Sequence, residues 1–228
     1  KGLDINSLSD IGCTPLYEAA LTSHVVLCKY LIDHGADINI KTYIDVTVLH
    51  CAAQGGCLEL CKLFIEKGLD INSVTDIGYT PLHSAARGCH ANLCNFLISL
   101  GAQVNARTNY RYTPLYEACR AGSVDTCRIL IDRGADVNIT TVHQVSVLHE
   151  AAKKNSIDIA ELLMERGAQV NRKDNTGQTA LHMAAKSNNK DIVNILLRHG
   201  ADGRIIDKRG NTPLDLAKRN QNTEIISL

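Results

Sequence analysis

Apolar and small residues recur along this chain at a fixed interval of 33 residues. Each step of 33 from Thr14 meets a hydroxyl residue, followed by Leu two positions later and by Ala five positions later. We call these hydroxyl residues the markers: Thr14, Thr47, Thr80, Thr113, Ser146, Thr179 and Thr212. A period that holds along the whole chain without insertion or deletion is typical of a linear array built from one repeated unit.

The pattern inside each unit predicts two helices and an extended turn. The marker hydroxyl suits the N-cap of a short helix, and all four prolines follow a marker directly, where a helix does not need the missing N–H. A longer apolar helix, such as residues 25–32, then ends close to a Gly, which readily takes the left-handed conformation that stops a helix. The Asp and Asn residues beyond that Gly predict a tight extended turn before the next marker, which we call a finger.

Three fingers depart from this pattern. Asp45, Arg111 and Gln144 stand two residues before their markers, where the other four units have Gly. A residue with a side chain disfavours the positive φ that such a turn requires. We therefore expect altered, though not broken, fingers in the second, fourth and fifth units.

The period predicts an all-α solenoid that forms a single domain over residues 1–228. The complete units are residues 10–42, 43–75, 76–108, 109–141, 142–174 and 175–207, and partial units cover residues 1–9 and 208–228. Neither partial unit has the polar outer face typical of a terminal repeat. We therefore expect this chain to be part of a longer protein.

Composition narrows the classes of partner. Lys and Arg together number 24, as do Asp and Glu, so the net charge is zero and no overall field favours nucleic acid or an anionic membrane. The sequence also has no signal peptide and no long apolar run. These features predict another protein or peptide as the partner, with no nucleic acid and no membrane contact within this chain.

The nine cysteines indicate a reducing compartment. Cys28, Cys61, Cys94 and Cys127 follow the 33-residue step inside apolar helices, where equivalent faces of stacked helices would not all pair. They are expected to be reduced thiols that behave as small buried hydrophobic groups. We therefore predict an intracellular, cytoplasmic location, with the nucleus as an alternative.

The repeated phrases resemble the ankyrin repeat. TPLHSAA at residues 80–86 with LISLGAQVN at 97–105, and TALHMAA at 179–185 with LLRHGAD at 196–202, carry this resemblance, which extends over essentially the whole chain. It implies an ankyrin-repeat solenoid that acts as a non-catalytic protein–protein interaction module. In this family the partner usually lies on the concave surface of fingers and short helices. An adaptor or substrate-receptor role, for example in a ubiquitin ligase, is one use that the resemblance suggests.

Two rows of residues are candidates for that partner-binding surface. The finger row is apolar and rich in Tyr, a side chain favoured at interfaces: Ile11, Cys13, Tyr43, Ile44, Val46, Ile77, Tyr79, Tyr110, Tyr112, His143 and Val145. The short-helix row is basic from the third unit onward: Arg87, Arg120, Lys153 and Lys186. Together they predict a groove for a segment with apolar anchors at one end and acidic residues at the other.

Two alternatives remain open for these rows. The finger side chains could instead pack along the array against the next finger. Glu117 with Arg120, and Glu150 with Lys153, are spaced by three residues on their helices and could simply pair with each other.

The resemblance also implies a role for the Asn that enters each finger. These residues are expected to stabilise the turn, and they are candidate sites for hydroxylation by an asparaginyl hydroxylase: Asn39, Asn72, Asn105, Asn138 and Asn171.

No catalytic motif is apparent, and we predict neither enzyme activity nor a cofactor. His149 and Glu150 begin a zinc-protease motif, but Lys153 stands where its second His would be. Four His share one position, three residues after the marker, and the resemblance makes them structural: His50, His83, His149 and His182. Two other hypotheses remain: a regulatory or mechanical segment that packs in cis within a channel or enzyme, and a thiol or metal sensor that uses Cys57, Cys61, Cys89 and His90.

Overall fold

The computed structural model describes residues 4–227, so residues 1–3 of the first partial unit and Leu228 lie outside the described residues. Within this range the chain is helical, with an isolated antiparallel bridge between Thr140 and Ser146 and no strand. The helices are α1 (Pro15–Leu21), α2 (Val25–Asp33), α3 (Val48–Gln54), α4 (Leu58–Glu66), α5 (Pro81–Arg87), α6 (Ala91–Ser99), α7 (Pro114–Ala121), α8 (Val124–Asp132), α9 (Val147–Lys154), α10 (Ile157–Glu165), α11 (Ala180–Lys186), α12 (Lys190–Arg198), α13 (Pro213–Arg219) and α14 (Thr223–Ile226). The predicted all-α architecture is confirmed.

The helices follow the period of the sequence. Each odd-numbered, short helix begins directly after a marker, and each even-numbered helix begins ten residues after the start of the short one. In α5 the Thr80 hydroxyl accepts a hydrogen bond from the His83 backbone N–H, and Pro81 occupies the first helical position. We call each finger with the helix pair that follows it a repeat, and number the repeats 1 to 7.

The core runs along the whole array. It contains the Leu two residues after the marker and the Ala five residues after it, which are buried in repeats 1 to 6. Small Ala side chains let the short helices of neighbouring repeats approach closely, because the distance between packed helices depends on the side chains between them. In most of the array, successive short helices are in closer contact than successive long helices.

The four buried His join neighbouring repeats. The Nδ1 of His83 accepts a hydrogen bond from the Thr80 backbone N–H (3.2 Å), and its Nε2 donates to the Tyr112 carbonyl of the next finger (3.0 Å). His50, His149 and His182 make equivalent bonds. Each ring therefore has a structural role, because it joins the marker backbone of its own repeat to the finger of the following repeat. Burial lowers the pKa of His50 and of His83 to about 4.

The expectation of altered fingers is wrong. Asp45, Arg111 and Gln144 adopt φ values of 60°, 61° and 60°, close to those of the glycines at this position. The Arg111 backbone N–H donates to the Thr108 carbonyl at 2.7 Å, as Gly78 does to Thr75 at 2.8 Å. The left-handed conformation costs a residue with a side chain about 1–2 kcal/mol, and it preserves the finger's hydrogen bonds.

Most of the finger-entry Asn connect two repeats. The Asn72 side-chain amide donates to the Gly101 carbonyl (3.1 Å), and its oxygen accepts from the Gln103 backbone N–H (2.9 Å). Asn105, Asn138 and Asn171 make the same pair of bonds. Asn39 differs, because its amide turns back to Asp37 within its own turn. Hydroxylation of these residues stays a prediction.

Candidate protein-binding surface

The tips of the first fingers carry exposed apolar side chains. Ile11, Ile44, Ile77 and Tyr110, each three residues before a marker, are 67 %, 55 %, 41 % and 52 % exposed. Tyr43, the neighbour of Ile44, is also largely exposed. His143 is exposed at the same position of finger 5. These predicted residues are therefore accessible to a partner, at one edge of the surface formed by the short helices, which we call the inner groove.

The residue directly before each marker points inward. Val46, Tyr79, Tyr112 and Val145 are half-buried, and Cys13 is buried. The prediction that Cys13 contacts a partner is therefore wrong, because its side chain is only 4 % exposed and has almost no surface to offer. Tyr79 and Tyr112 retain enough exposed surface to form part of the inner groove.

Packing along the array involves the backbone of the fingers. The Asn109 N–H donates to the Ile77 carbonyl at 2.8 Å, and the Val142 N–H donates to the Tyr110 carbonyl at 3.1 Å. Equivalent bonds connect the other neighbouring fingers from finger 2 to finger 7. The alternative that each finger packs against the next one therefore holds for the main chain, while the tip side chains listed above remain exposed.

Three tyrosines form a stack at the centre of the inner groove. The ring centroids of Tyr110 and Tyr112 are 5.7 Å apart, and those of Tyr112 and Tyr116 are 4.7 Å apart with nearly parallel planes. The Tyr116 hydroxyl donates to the Glu150 carboxylate at 3.4 Å. This aromatic stack leads from an exposed finger tip to the floor of the groove. The role of Tyr116 was missed because its slot holds a structural His in four other repeats.

An adjoining hollow lies between repeats 1 and 3. It has a volume of about 230 Å³, and its walls include Tyr17, Leu21, Val46, Tyr79 and Arg87. The mixed apolar and polar lining, open on one side to solvent, is suited to an apolar or aromatic side chain. We call it the anchor recess.

The basic row of the short helices is exposed and free of ion pairs. Arg87, Arg120, Lys153 and Lys186 all lie at the surface. The ion pairs within residues 4–227 lie elsewhere, at Lys29–Glu59, Lys41–Asp45, Asp132–Arg166 and Asp202–Arg204. The alternative that Arg120 and Lys153 simply pair with Glu117 and Glu150 therefore has no ion pair within 4.0 Å to support it in the described chain.

Two acidic residues lie beneath this row. Glu117 and Glu150 are only 3 % and 7 % exposed, although charged residues are rarely buried without a partner. Glu117 shares a recess of about 270 Å³ with Arg87, Arg120 and Ala121, which we call the arginine recess. Burial raises the pKa of Glu117, while Arg120, Arg87 and then the Tyr79 hydroxyl act in the opposite direction. The sequence showed these charges on one helix, but not the depth of the carboxylate.

The cysteines are not arranged as a metal site. All nine thiols are free, and seven of them are buried. Burial raises the pKa of Cys61 to about 12, which keeps it a protonated thiol and a poor metal ligand. In residues 4–227 no group of three or more His, Cys, Asp or Glu side chains has a geometry that could hold a metal ion.

Family comparison agrees with this architecture. The model of ankyrin repeats (3 copies) matches residues 1–75, 49–141, 108–174 and 148–228, which together cover the chain. The chain belongs to the ankyrin-repeat family. Ankyrin repeats are generally protein–protein interaction modules, and the fold is typically a non-catalytic binding module.

A solved structure extends the similarity. The ankyrin repeat domain of human ASB11 is 28 % identical, with a TM-score of 0.85 over 95 % of this chain and 98 % of that chain. Comparison with curated proteins gives no match. Across residues 4–227, no helix combines the length and apolar character needed to cross a membrane.

Proposed function

We propose that this ankyrin-repeat domain is a non-catalytic adaptor that captures a protein segment in its inner groove. The observation that carries the proposal is the basic row of exposed, unpaired cations beside an aromatic surface. Tyr and Arg are the residues that most often dominate binding energy at protein interfaces. Their concentration in repeats 3 and 4, at Tyr79, Arg87, Tyr112 and Arg120, makes this part the proposed centre of the interface.

The two ends of the groove favour different parts of the bound segment. The anchor recess and the exposed tips at Ile44 and Tyr43 would take apolar side chains, which gain free energy when they leave water. The basic row would bind acidic side chains, and it would contribute more to specificity than to affinity. A segment with apolar residues followed by acidic residues therefore matches the groove best.

The cellular role that we propose is that of an adaptor or substrate receptor in a reducing compartment, the cytoplasm or the nucleus. The free cysteines support this location. The receptor role is supported by the exposed apolar tips and the exposed basic row along the inner groove.

Affinity capture with charge-reversed protein tests the proposal. Arg87→Glu with Arg120→Glu should remove the retained proteins that the unmodified domain captures from a cell extract, because acidic segments are then repelled. Both side chains are exposed, so cooperative thermal unfolding should persist. The matched control is Lys208→Glu with Arg209→Glu, which changes the same charge on finger 7, outside the inner groove. An unchanged set of retained proteins in the Arg87/Arg120 variant would exclude this groove as the binding site.

A further inference from the structure

We propose that the arginine recess binds one carboxylate side chain of the captured segment, and that Glu117 makes this recess reject a phosphorylated side chain. This inference rests on the proposed function and deepens it. It assigns a specificity role to a buried residue that the captured segment need not touch.

The charges in the recess are unbalanced by one. Arg87 and Arg120 bring two positive charges, and Glu117 brings a single acidic group. Neither guanidinium has an ion-pair partner within 4.0 Å among residues 4–227. One further negative charge, supplied by the partner, would neutralise the recess.

The depth of Glu117 decides where that charge can bind. The carboxylate is buried beneath the row, whereas both guanidinium groups are exposed at the rim. Each guanidinium has five N–H donors in a planar fork that suits a bidentate carboxylate. Because Glu117 is buried and makes no ion pair with either guanidinium within 4.0 Å, the N–H donors of both arginines stay available to a partner carboxylate. The volume of about 270 Å³ admits a carboxylate side chain together with water.

A phosphate group would bring more negative charge than the recess can neutralise. It carries about −1.5 to −2 charges at neutral pH, more than the recess lacks. Two exposed arginines without an acidic neighbour would be a good phosphate site, since arginine clusters recognise phosphorylated residues. Glu117 lies at the base of this recess, and Glu150 lies in the next repeat, where the Tyr116 hydroxyl holds it. Glu150 does not line the recess, so repulsion by Glu117 is the negative element that favours the singly charged ligand.

The surroundings also define the neighbour of the bound carboxylate. Tyr79 is half-buried and its hydroxyl interacts with the Glu117 carboxylate, and the aromatic stack belongs to repeat 4, as Arg120 does. An apolar or aromatic residue next to the acidic one could pack on these rings. The expected recognition element is therefore an acidic residue with an adjoining apolar residue.

Selection from a displayed library of random 12-residue peptides tests the ligand class. Peptides retained by the unmodified domain should share one aligned Asp or Glu beside an apolar position. The alignment should disappear when Arg87→Gln and Arg120→Gln are combined, and it should persist with Lys153→Gln and Lys186→Gln, a matched change in the same row outside the recess. An aligned Lys or Arg would overturn the inference, because Glu117 would then pair with the partner.

Synthetic peptides test the discrimination. One selected peptide is made with Glu, Gln or phosphoserine at the aligned position, and its affinity is measured by calorimetry. On the unmodified domain the Glu peptide should bind roughly tenfold more tightly than the Gln peptide, the value of one charge-assisted hydrogen bond, and more tightly than the phosphoserine peptide. Glu117→Gln should reverse the order of Glu and phosphoserine.

Glu150→Gln is the matched control for the buried acid and should leave that order unchanged. Thermal unfolding of both variants checks that the fold is retained. Phosphoserine binding as tight as Glu on the unmodified domain would overturn the inference while leaving the proposed function intact. Retained peptides that ignore every substitution in the groove would overturn both.

Discussion

Finger 3 and the C-terminal fingers 6 and 7 share one backbone turn but differ in chemistry. In finger 3 the Thr75 hydroxyl accepts a single hydrogen bond, from the Tyr79 backbone N–H (3.1 Å). In finger 6 the Asp174 carboxylate at the same position accepts from the backbone N–H groups of Thr176 (2.8 Å) and Gln178 (2.9 Å). Asp207 braces finger 7 in the same way.

The side chains at the finger tips differ between the same two groups of fingers. Fingers 2 to 4 present exposed Ile and Tyr, whereas fingers 6 and 7 present Thr176 and Arg209 at the equivalent positions. The same turn thus supports either an apolar or a polar tip. The Thr176 hydroxyl itself donates to the Asp174 carboxylate at 2.7 Å, whereas the exposed Ile side chains of fingers 2 and 3 have no group that could hydrogen-bond to the turn. The apolar tips are therefore free to serve binding, and we expect the polar fingers to contribute least to it.

The largest expected effect is the response of the two halves to acid. Burial lowers the pKa of His50 and His83 from 6.5 to about 4. The unfolded chain therefore binds more protons between these pH values, and stability is lost as the pH falls from 6.5 to 4, by roughly 3 kcal/mol for each His. For His182 burial also lowers the pKa, but Asp207 and Asp174 oppose the change.

Hydrogen exchange at pH 7 and pH 5 measures this difference. Repeats 2 and 3 should lose protection on acidification more than repeat 6. His83→Gln provides the control, because its stability should depend less on pH than that of the unmodified chain. Equal loss of protection in all repeats would remove the proposed difference between the halves.

A smaller effect on stability is expected from removing the bracing side chain that stands five residues before a marker. Asp174→Ala should cost about 2–3 kcal/mol, since hydrogen bonds to a charged acceptor are lost, whereas Thr75→Ala should cost about 1 kcal/mol. The two positions are matched in burial, at 9 % and 8 % exposure. Urea denaturation of the two variants gives the comparison directly. Equal costs would mean that the carboxylate braces its finger no better than a hydroxyl does.

The smallest effect on stability is expected at the tips. Ile44→Ser and Arg209→Ser both change exposed side chains, so each should alter the free energy of unfolding by less than about 0.5 kcal/mol. Binding separates them: Ile44→Ser should weaken retention of the segment that the domain captures, and Arg209→Ser should not. A comparable loss of retention in both variants would show that the apolar and polar tips are equivalent.

The periodic scaffold was predictable because its causes are local. The markers cap helices, Pro15 and its counterparts fit the first helical turn, and Gly101 takes the positive φ that ends a helix. Each of these effects acts within a few residues and repeats in every unit. Helix positions and the all-α fold followed from them without knowledge of contacts between repeats.

The candidate surface was predictable only in part. The rows of apolar tips and basic helix residues were visible from the spacing, and both lie at the surface. The direction of the residue before the marker was not, and Cys13 is buried for that reason. The turn at Arg111 was also missed, because hydrogen bonds to Thr108 and the neighbouring finger outweigh the local preference against positive φ.

By itself the sequence determined which units repeat, where helices begin and end, and which charges and aromatic groups share a register. These properties depend on short-range sterics and hydrogen bonds. The tertiary structure decided which side chains are buried, that His83 reaches the next finger, and that Arg87, Arg120 and Glu117 from neighbouring repeats meet in one recess. Those outcomes depend on stacking between repeats, since desolvation and distance are properties of the assembled array.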